Sequence, residues 1–241
     1  LKNIIFFEGI GLHTGKSSKV KIFPAKEDMG IRFIRTDISK NNEIQAKWSN
    51  VSSTKLCTTI SNRFDISIST IEHLMSALSG MHIDNAKIEV YGSEIPIMDG
   101  SSVQFVKLIE EAGIINQNKN RKQIKVLKKV KVEDKDCSIS ISPSEQFSVD
   151  FEIDFPSKVI NKQSCNLKMI NGNYKEDISK ARTFGFEHEV DMLRDAGFAR
   201  GGNLSNAIVV SENTILNKEG LRYKDEFVRH KILDSIGDLY L

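Results

Sequence analysis

The stretch STIEHLMSALSG, residues 69–80, constrains the rest of the chain more than any other. Ile71, Leu74, Met75 and Leu78 recur at helical spacing and predict a helix with one apolar face. Ser69, followed three residues later by Glu72, has the spacing of a capping box. Ala77, Ser79 and Gly80 are small and leave room for a close neighbour. The helix also carries an adjacent Glu72-His73 pair. Neighbours on a helix point about 100° apart, so the two can reach one small object from different sides without touching each other. That geometry suits a residue that holds a metal beside one that works on its water. Plainer roles compete with it: Glu72 completing the capping box, and His73 as a satisfied core histidine.

Strand patterns dominate the residues before this helix. Residues 4–7 are apolar, 19–23 alternate, and 30–35 alternate again. Between the first two lies GIGLHTGK, residues 9–16. It is rich in glycine and ends in lysine, but it lacks the Walker spacing and reads as a turn between strands. After the helix, residues 86–91 alternate as a strand. A helix capped by Asp99 or Ser101 then runs to about Ala112, with Gly113 as its stop.

Residues 116–122, NQNKNRK, are the best linker in the chain. The strand pattern restarts with Ile124, Val126, Val130 and Val132, their lysines forming a solvated strand face. Residues 137–141 and 147–155 give two more strands. A helix from His188 to Asp195, a short strand at Ala207–Val210 and a last helix from Arg222 to the chain end follow. The order of elements in the first half recurs, which predicts two similar α+β units, residues 1–115 and 124–241, joined by 116–123.

The chain has 241 residues, with 34 basic against 32 acidic for a net charge of +2. That balance excludes nucleic acid as the main partner. No apolar run approaches the roughly 20 residues of a membrane span. Three widely spaced cysteines make neither a disulfide framework nor a CxxC site, so a reducing, cytoplasmic setting is expected.

The last helix supplies the other half of a site. In RHKILDSIGD, His230 and Asp234 are four apart and share one face. They are either zinc-type ligands or a hydrogen-bonded i,i+4 pair on a solvated face. With His73 they make a set of two nitrogens and one oxygen, the ligand count of a catalytic zinc site with an open position. Glu72 then becomes the candidate general base. Two imidazoles favour Zn over Mg or Ca, and Fe(II) suits the same ligands.

STIEHLMSALSG and FVRHKILDSIGDLY closely resemble the signature helices of the UDP-3-O-acyl-N-acetylglucosamine deacetylases, zinc enzymes of lipid A biosynthesis in Gram-negative bacteria. GIGLHTGK, KLCTT, the IDN of residues 83–85, EIPIMDGS, ARTFGF and LRYKDEFVRHK match in the same order, across nearly the whole chain. The resemblance implies two two-layer α/β sandwich domains of the ribosomal protein S5 domain 2-like type, with the site between them. It implies His73, His230 and Asp234 as zinc ligands and Glu72 as general base. Thr183 matches the residue that helps hold the oxyanion. Phe184 and Lys231 match contacts to a UDP-linked acylated glucosamine, and Asp238 matches a carboxylate that orients a catalytic His. The helix around His188 and the strand around Ala207 would frame an apolar acyl-chain passage, although Glu187 and His188 are polar for that place. Transient contact with acyl-chain carriers or a membrane surface, and a monomeric state, go with this reading.

One departure matters. The family carries a GHxxGH-like segment after the DLY of the last helix, and its final His acts as general acid. The chain begins without an initiator Met and stops at Leu241, as a fragment would. The second expectation, from another class, is therefore an impaired or non-catalytic fragment that binds metal or nucleotide. A different metallohydrolase on the same scaffold is a third.

Overall fold

The computed structural model describes residues 1–170 and 172–241. Strands β1 (Ile5–Ile10) and β2 (Ser17–Pro24) form an antiparallel hairpin. The GIGLHTGK stretch is the turn between them, as expected. β3 (Ile31–Arg35) pairs antiparallel with β4 (Glu43–Gln45). A small sheet of β5 (Val51–Ser53), β6 (Thr59–Ser61) and β7 (Ser67–Ile68) leads into helix α1 (Glu72–Gly80). β8 (Ala86–Tyr91) then inserts between β2 and β3, giving the order β1-β2-β8-β3-β4. β8 runs parallel to β3. Parallel neighbours need a long crossover, and here the small sheet and α1 supply it. Alternation sorts the faces: Val20 and Ile22 point inward while Lys19 and Lys21 stay exposed. Helix α2 (Val103–Ala112) buries Phe105, Val106 and Ile109, and ends at Gly113 with a φ of 74°.

The capping expectations are corrected. Ser69 lies in an extended bridge to Glu94, and its hydroxyl donates to the Ser93 carbonyl at 3.2 Å. It is thus held in strand geometry ahead of a helix whose cap position is Ile71, and Glu72 turns elsewhere. At α2 the cap position is Ser102, whose hydroxyl donates to the His73 carbonyl instead of capping, while the Ser101 hydroxyl accepts the Val103 N–H at 3.3 Å. Asp99 instead accepts from Ser101 and from Arg222.

In the second half, β9 (Val130–Asp134) and β10 (Cys137–Ile141) form one hairpin, and β11 (Ser148–Asp154) and β12 (Lys162–Lys168) another. β9 starts later than the sequence pattern suggests. Ile124 is 93% exposed and Leu127 82%, because residues 124–129 have no partner strand among the described residues. β12 and the short helix α3 (Asn173–Asp177) carry no clear pattern; β12 is made a strand by its register with β11. β13 (Phe184–Phe186) runs parallel to β14 (Ile208–Val210), with α4 (Val190–Asp195) between them in sequence. Helix α5 (Glu226–Asp238) starts later than Arg222 and ends before the chain does. The polar stretch after α2 contains no helix or strand. It is tied down by Asn118 to Glu27 and by Arg121 to Asp84.

The fold is α+β. Its main core joins the inner face of the large sheet, α1, α2, Tyr174 and the Ile232, Leu233 and Ile236 side of α5. Helix α1 lies in the middle of it. The expected single apolar face is therefore corrected: every α1 residue except Ser79 is buried. The surfaces of α1 meet different neighbours, and Gly80 lies under the ring of Tyr174, where an added Cβ would come within 2.2 Å.

Candidate metal centre

Two helices make the centre, and a glycine lets them meet. A Cβ added to Gly237 of α5 would lie 2.1 Å from the Glu72 carbonyl oxygen and 3.0 Å from the Ser76 nitrogen of α1. Only a residue without a side chain allows this approach. It brings the last turns of α5 against the first turn of α1, where Glu72 and His73 sit.

The three predicted ligands converge. Nε2 of His73 is 3.4 Å from Oδ1 of Asp234, and Nε2 of His230 is 3.3 Å from the same atom. One ligand atom from each residue fits within 4.8 Å of the others. The imidazole rings stand edge to face, 4.9 Å between centroids. Asp234 Oδ1 is buried and accepts no hydrogen bond among the described residues. A tetrahedral ion with bonds of about 2.0 to 2.1 Å holds its ligand atoms about 3.3 Å apart, which is the spacing of Asp234 Oδ1 from each of the two imidazole nitrogens. Nδ1 of His230 lies 3.1 Å from the Ala181 carbonyl. With the proton on Nδ1, His230 offers Nε2 as the ligand atom, the usual outer support of a metal-bound histidine. The residues present therefore fit a divalent cation.

Electrostatics follow from burial and crowding. Burial works against charge on Asp234, but His230 and Lys231 beside it hold its carboxyl well below the usual range. Burial lowers His230 to about 3. Burial also opposes a charged His73, yet the adjacent Asp234 outweighs it and raises that pKa. Burial raises Glu72 to about 8.

Glu72 does not bond to Ser69. Its Oε2 accepts the Thr58 backbone N–H at 3.1 Å, and the Thr58 hydroxyl donates to Oδ1 of Asp238 at 2.6 Å. Burial raises the Asp238 carboxyl. Lys231 reaches Oδ2 of Asp234 at 3.1 Å and lies over the Phe184 ring, 5.4 Å from its centroid. Phe184 in turn packs edge-on to Phe227 and Phe155, at 5.0 and 5.6 Å, and Phe155 meets Phe186 at 5.8 Å, so an aromatic wall leads away from His230. Thr183 is half-buried. Its N–H donates to the Gly100 carbonyl, and its own carbonyl accepts from Ile208, two residues beyond the carbonyl that faces His230.

Four contributors escape a residue-by-residue reading. Thr58 lies in KLCTT, a matching motif that gives no residue a role by itself. The Ala181 carbonyl is backbone. Gly237 looks like any helix glycine. Arg182 and Glu226 form a buried pair at 2.9 Å beneath α5, with Glu226 fully buried and also accepting the Arg182 N–H. The place of Arg182 inside the ARTFGF motif is the one hint the sequence offers for this pair.

The chain matches a family model described as UDP-3-O-acyl N-acetylglycosamine deacetylase over residues 1–241. It is 49% identical to a UDP-3-O-acyl-N-acetylglucosamine deacetylase of Saccharophagus degradans over 243 aligned positions. It is 47% identical to one of Helicobacter hepaticus and 46% identical to one of Cellvibrio japonicus. In each case the alignment covers 100% of this chain and 80% of the relative.

Proposed function

Because the chain belongs to the UDP-3-O-acyl N-acetylglycosamine deacetylase family, we propose that it hydrolyses the N-acetyl amide of UDP-3-O-acyl-N-acetylglucosamine. The products are acetate and the free amine, in a step of lipid A biosynthesis. His73, His230 and Asp234 hold the metal, which is zinc in this reading. A cation held there would supply Lewis acidity and lower the pKa of water. Glu72 accepts the proton of the water that adds to the acetyl carbonyl. The Thr183 hydroxyl donates to the oxygen on which charge develops. The C–N bond then breaks and the nitrogen leaves protonated. Lys231 and Phe184 contact the sugar-nucleotide, and Asp238 orients a neighbouring proton carrier.

The observation that carries this reading is the buried Asp234 Oδ1 set 3.3 to 3.4 Å from two imidazole nitrogens, with Glu72 one residue from His73. A plain salt-bridge cluster would not leave that oxygen without a hydrogen bond. The reading takes residues 1–115 and 124–241 as two units with the site between them. It also takes the protein as a cytoplasmic monomer, in transient contact with acyl-chain carriers or a membrane surface. No helix among the described residues is long and apolar enough to cross a membrane.

Glu72→Gln tests the chemistry. The variant keeps its metal and loses deacetylation by about 100-fold or more, the scale of a general-base contribution. Turnover equal to the parent's would refute the role.

A further inference from the structure

Thr58 is the only residue whose groups bond to both Glu72 and Asp238 among the described residues, and nothing in the reaction as described uses it. It is buried, 6% exposed, at the mouth of β6. Its backbone N–H fixes Oε2 of Glu72, while its hydroxyl fixes Oδ1 of Asp238. The Glu72 carboxylate starts the first turn of α1, and Asp238 ends α5. The two come from helices that pack together at Gly237; Glu72 is buried and Asp238 exposed, and the two carboxylates would repel one another if both were charged. A single residue with two donors, one from the main chain and one from the side chain, satisfies an oxygen of each and sets their spacing.

We propose that Thr58 is a positioning residue for the deacetylation, holding Glu72 in its working orientation through a hydroxyl clamp on Asp238. The inference rests on Glu72 being the base. The hydroxyl holds Thr58 against α5, and so fixes where its N–H meets Glu72. Serine keeps both donors. Valine keeps the shape and the N–H but leaves Asp238 Oδ1 without its donor, and the Thr58 backbone is then free to drift from Glu72. The first oxygen of a general base sets the aim of the second.

The test uses Thr58→Val, Thr58→Ser and Glu72→Gln in the metal-loaded protein at its full natural length, measuring kcat, KM, metal content and melting temperature. Thr58→Val should lower kcat about tenfold or more, with KM within about twofold and one metal per chain retained, since bonds to charged groups are the stronger ones. Thr58→Ser should restore at least half of the parent kcat. In a Glu72→Gln background, adding Thr58→Val should cost nothing further. Thr58→Val with parental kcat beside an inactive Glu72→Gln overturns this inference alone. A fully active Glu72→Gln removes the base itself, and this inference with it. Loss of metal or of folded protein in step with activity, without rescue by serine, makes Thr58 structural and also overturns the proposal.

Discussion

Gly237→Ala tests how the two halves of the metal centre are joined. In an isolated helix the change is favourable by about 0.8 to 1.0 kcal/mol, because alanine is the better helix former. Here the new Cβ would meet the Glu72 carbonyl oxygen at 2.1 Å. Carbon and carbonyl oxygen rest at about 3.3 Å or more, so the end of α5 must retreat from α1 by about 1 Å. His230 and Asp234 ride together on α5, and their 3.3 Å spacing survives. His73 rides on α1, and its 3.4 Å gap to Asp234 opens by a similar amount. Metal sites tolerate about 0.2 Å. Metal affinity should therefore fall by about 100-fold or more, beyond the 10 to 100-fold typical of disturbed outer support. Stability should fall by about 1 to 3 kcal/mol from overpacking. Competition with a graded chelator measures the first, and urea unfolding of the metal-free protein the second. A variant that binds metal like the parent and unfolds at the same urea concentration would show that α1 and α5 do not depend on this contact.

Glu226→Ala takes the buried carboxylate from Arg182, which keeps only the exposed Glu219 and the Gly220 carbonyl, and should destabilise by about 3 kcal/mol in chemical unfolding; Glu226→Gln should cost less. Burial holds Glu72 near 8 against the ordinary 4.5 of a solvated glutamate, so the fold binds a proton that the unfolded chain has released between those values. The contribution of Glu72 to the stability of the metal-free protein should fall as pH rises from about 4.5 to 8, by up to about 1.4 kcal/mol per unit, while His230, held near 3, works in the opposite direction up to its ordinary value of 6.5. Metal-free Glu72→Gln should accordingly melt above the metal-free parent at pH 8 and level with it near pH 4.5. Equal melting at both values would rule the buried acid out. Asp234→Asn should lower metal content below that of Glu72→Gln, and equal metal in the two variants would count against Asp234 as a ligand.

What the sequence by itself determined were patterns with a short period. Alternation in residues 86–91 and the apolar spacing of residues 71–78 set a strand and a helix, since each depends only on neighbours one turn or one pleat away. The i,i+4 spacing of His230 and Asp234 is legible for the same reason. The chain of matching motifs carried the family and with it the expected ligand set. The tertiary structure decided which partner each polar group chose. Glu72 fits a capping box in sequence, yet Ser69 is drawn into a bridge with Glu94 and Glu72 turns to Thr58, 14 residues away. The lysine-rich run before Val130 looks like a strand but finds no partner, while β12 has no pattern and becomes a strand by pairing with β11. Most of all, the sequence offered His73 and the His230-Asp234 pair as separate halves. Their meeting depends on a backbone contact at Gly237, so close that an added Cβ would lie 2.1 Å from the Glu72 carbonyl oxygen, between segments more than 150 residues apart. That is a matter of packing, which no local period encodes.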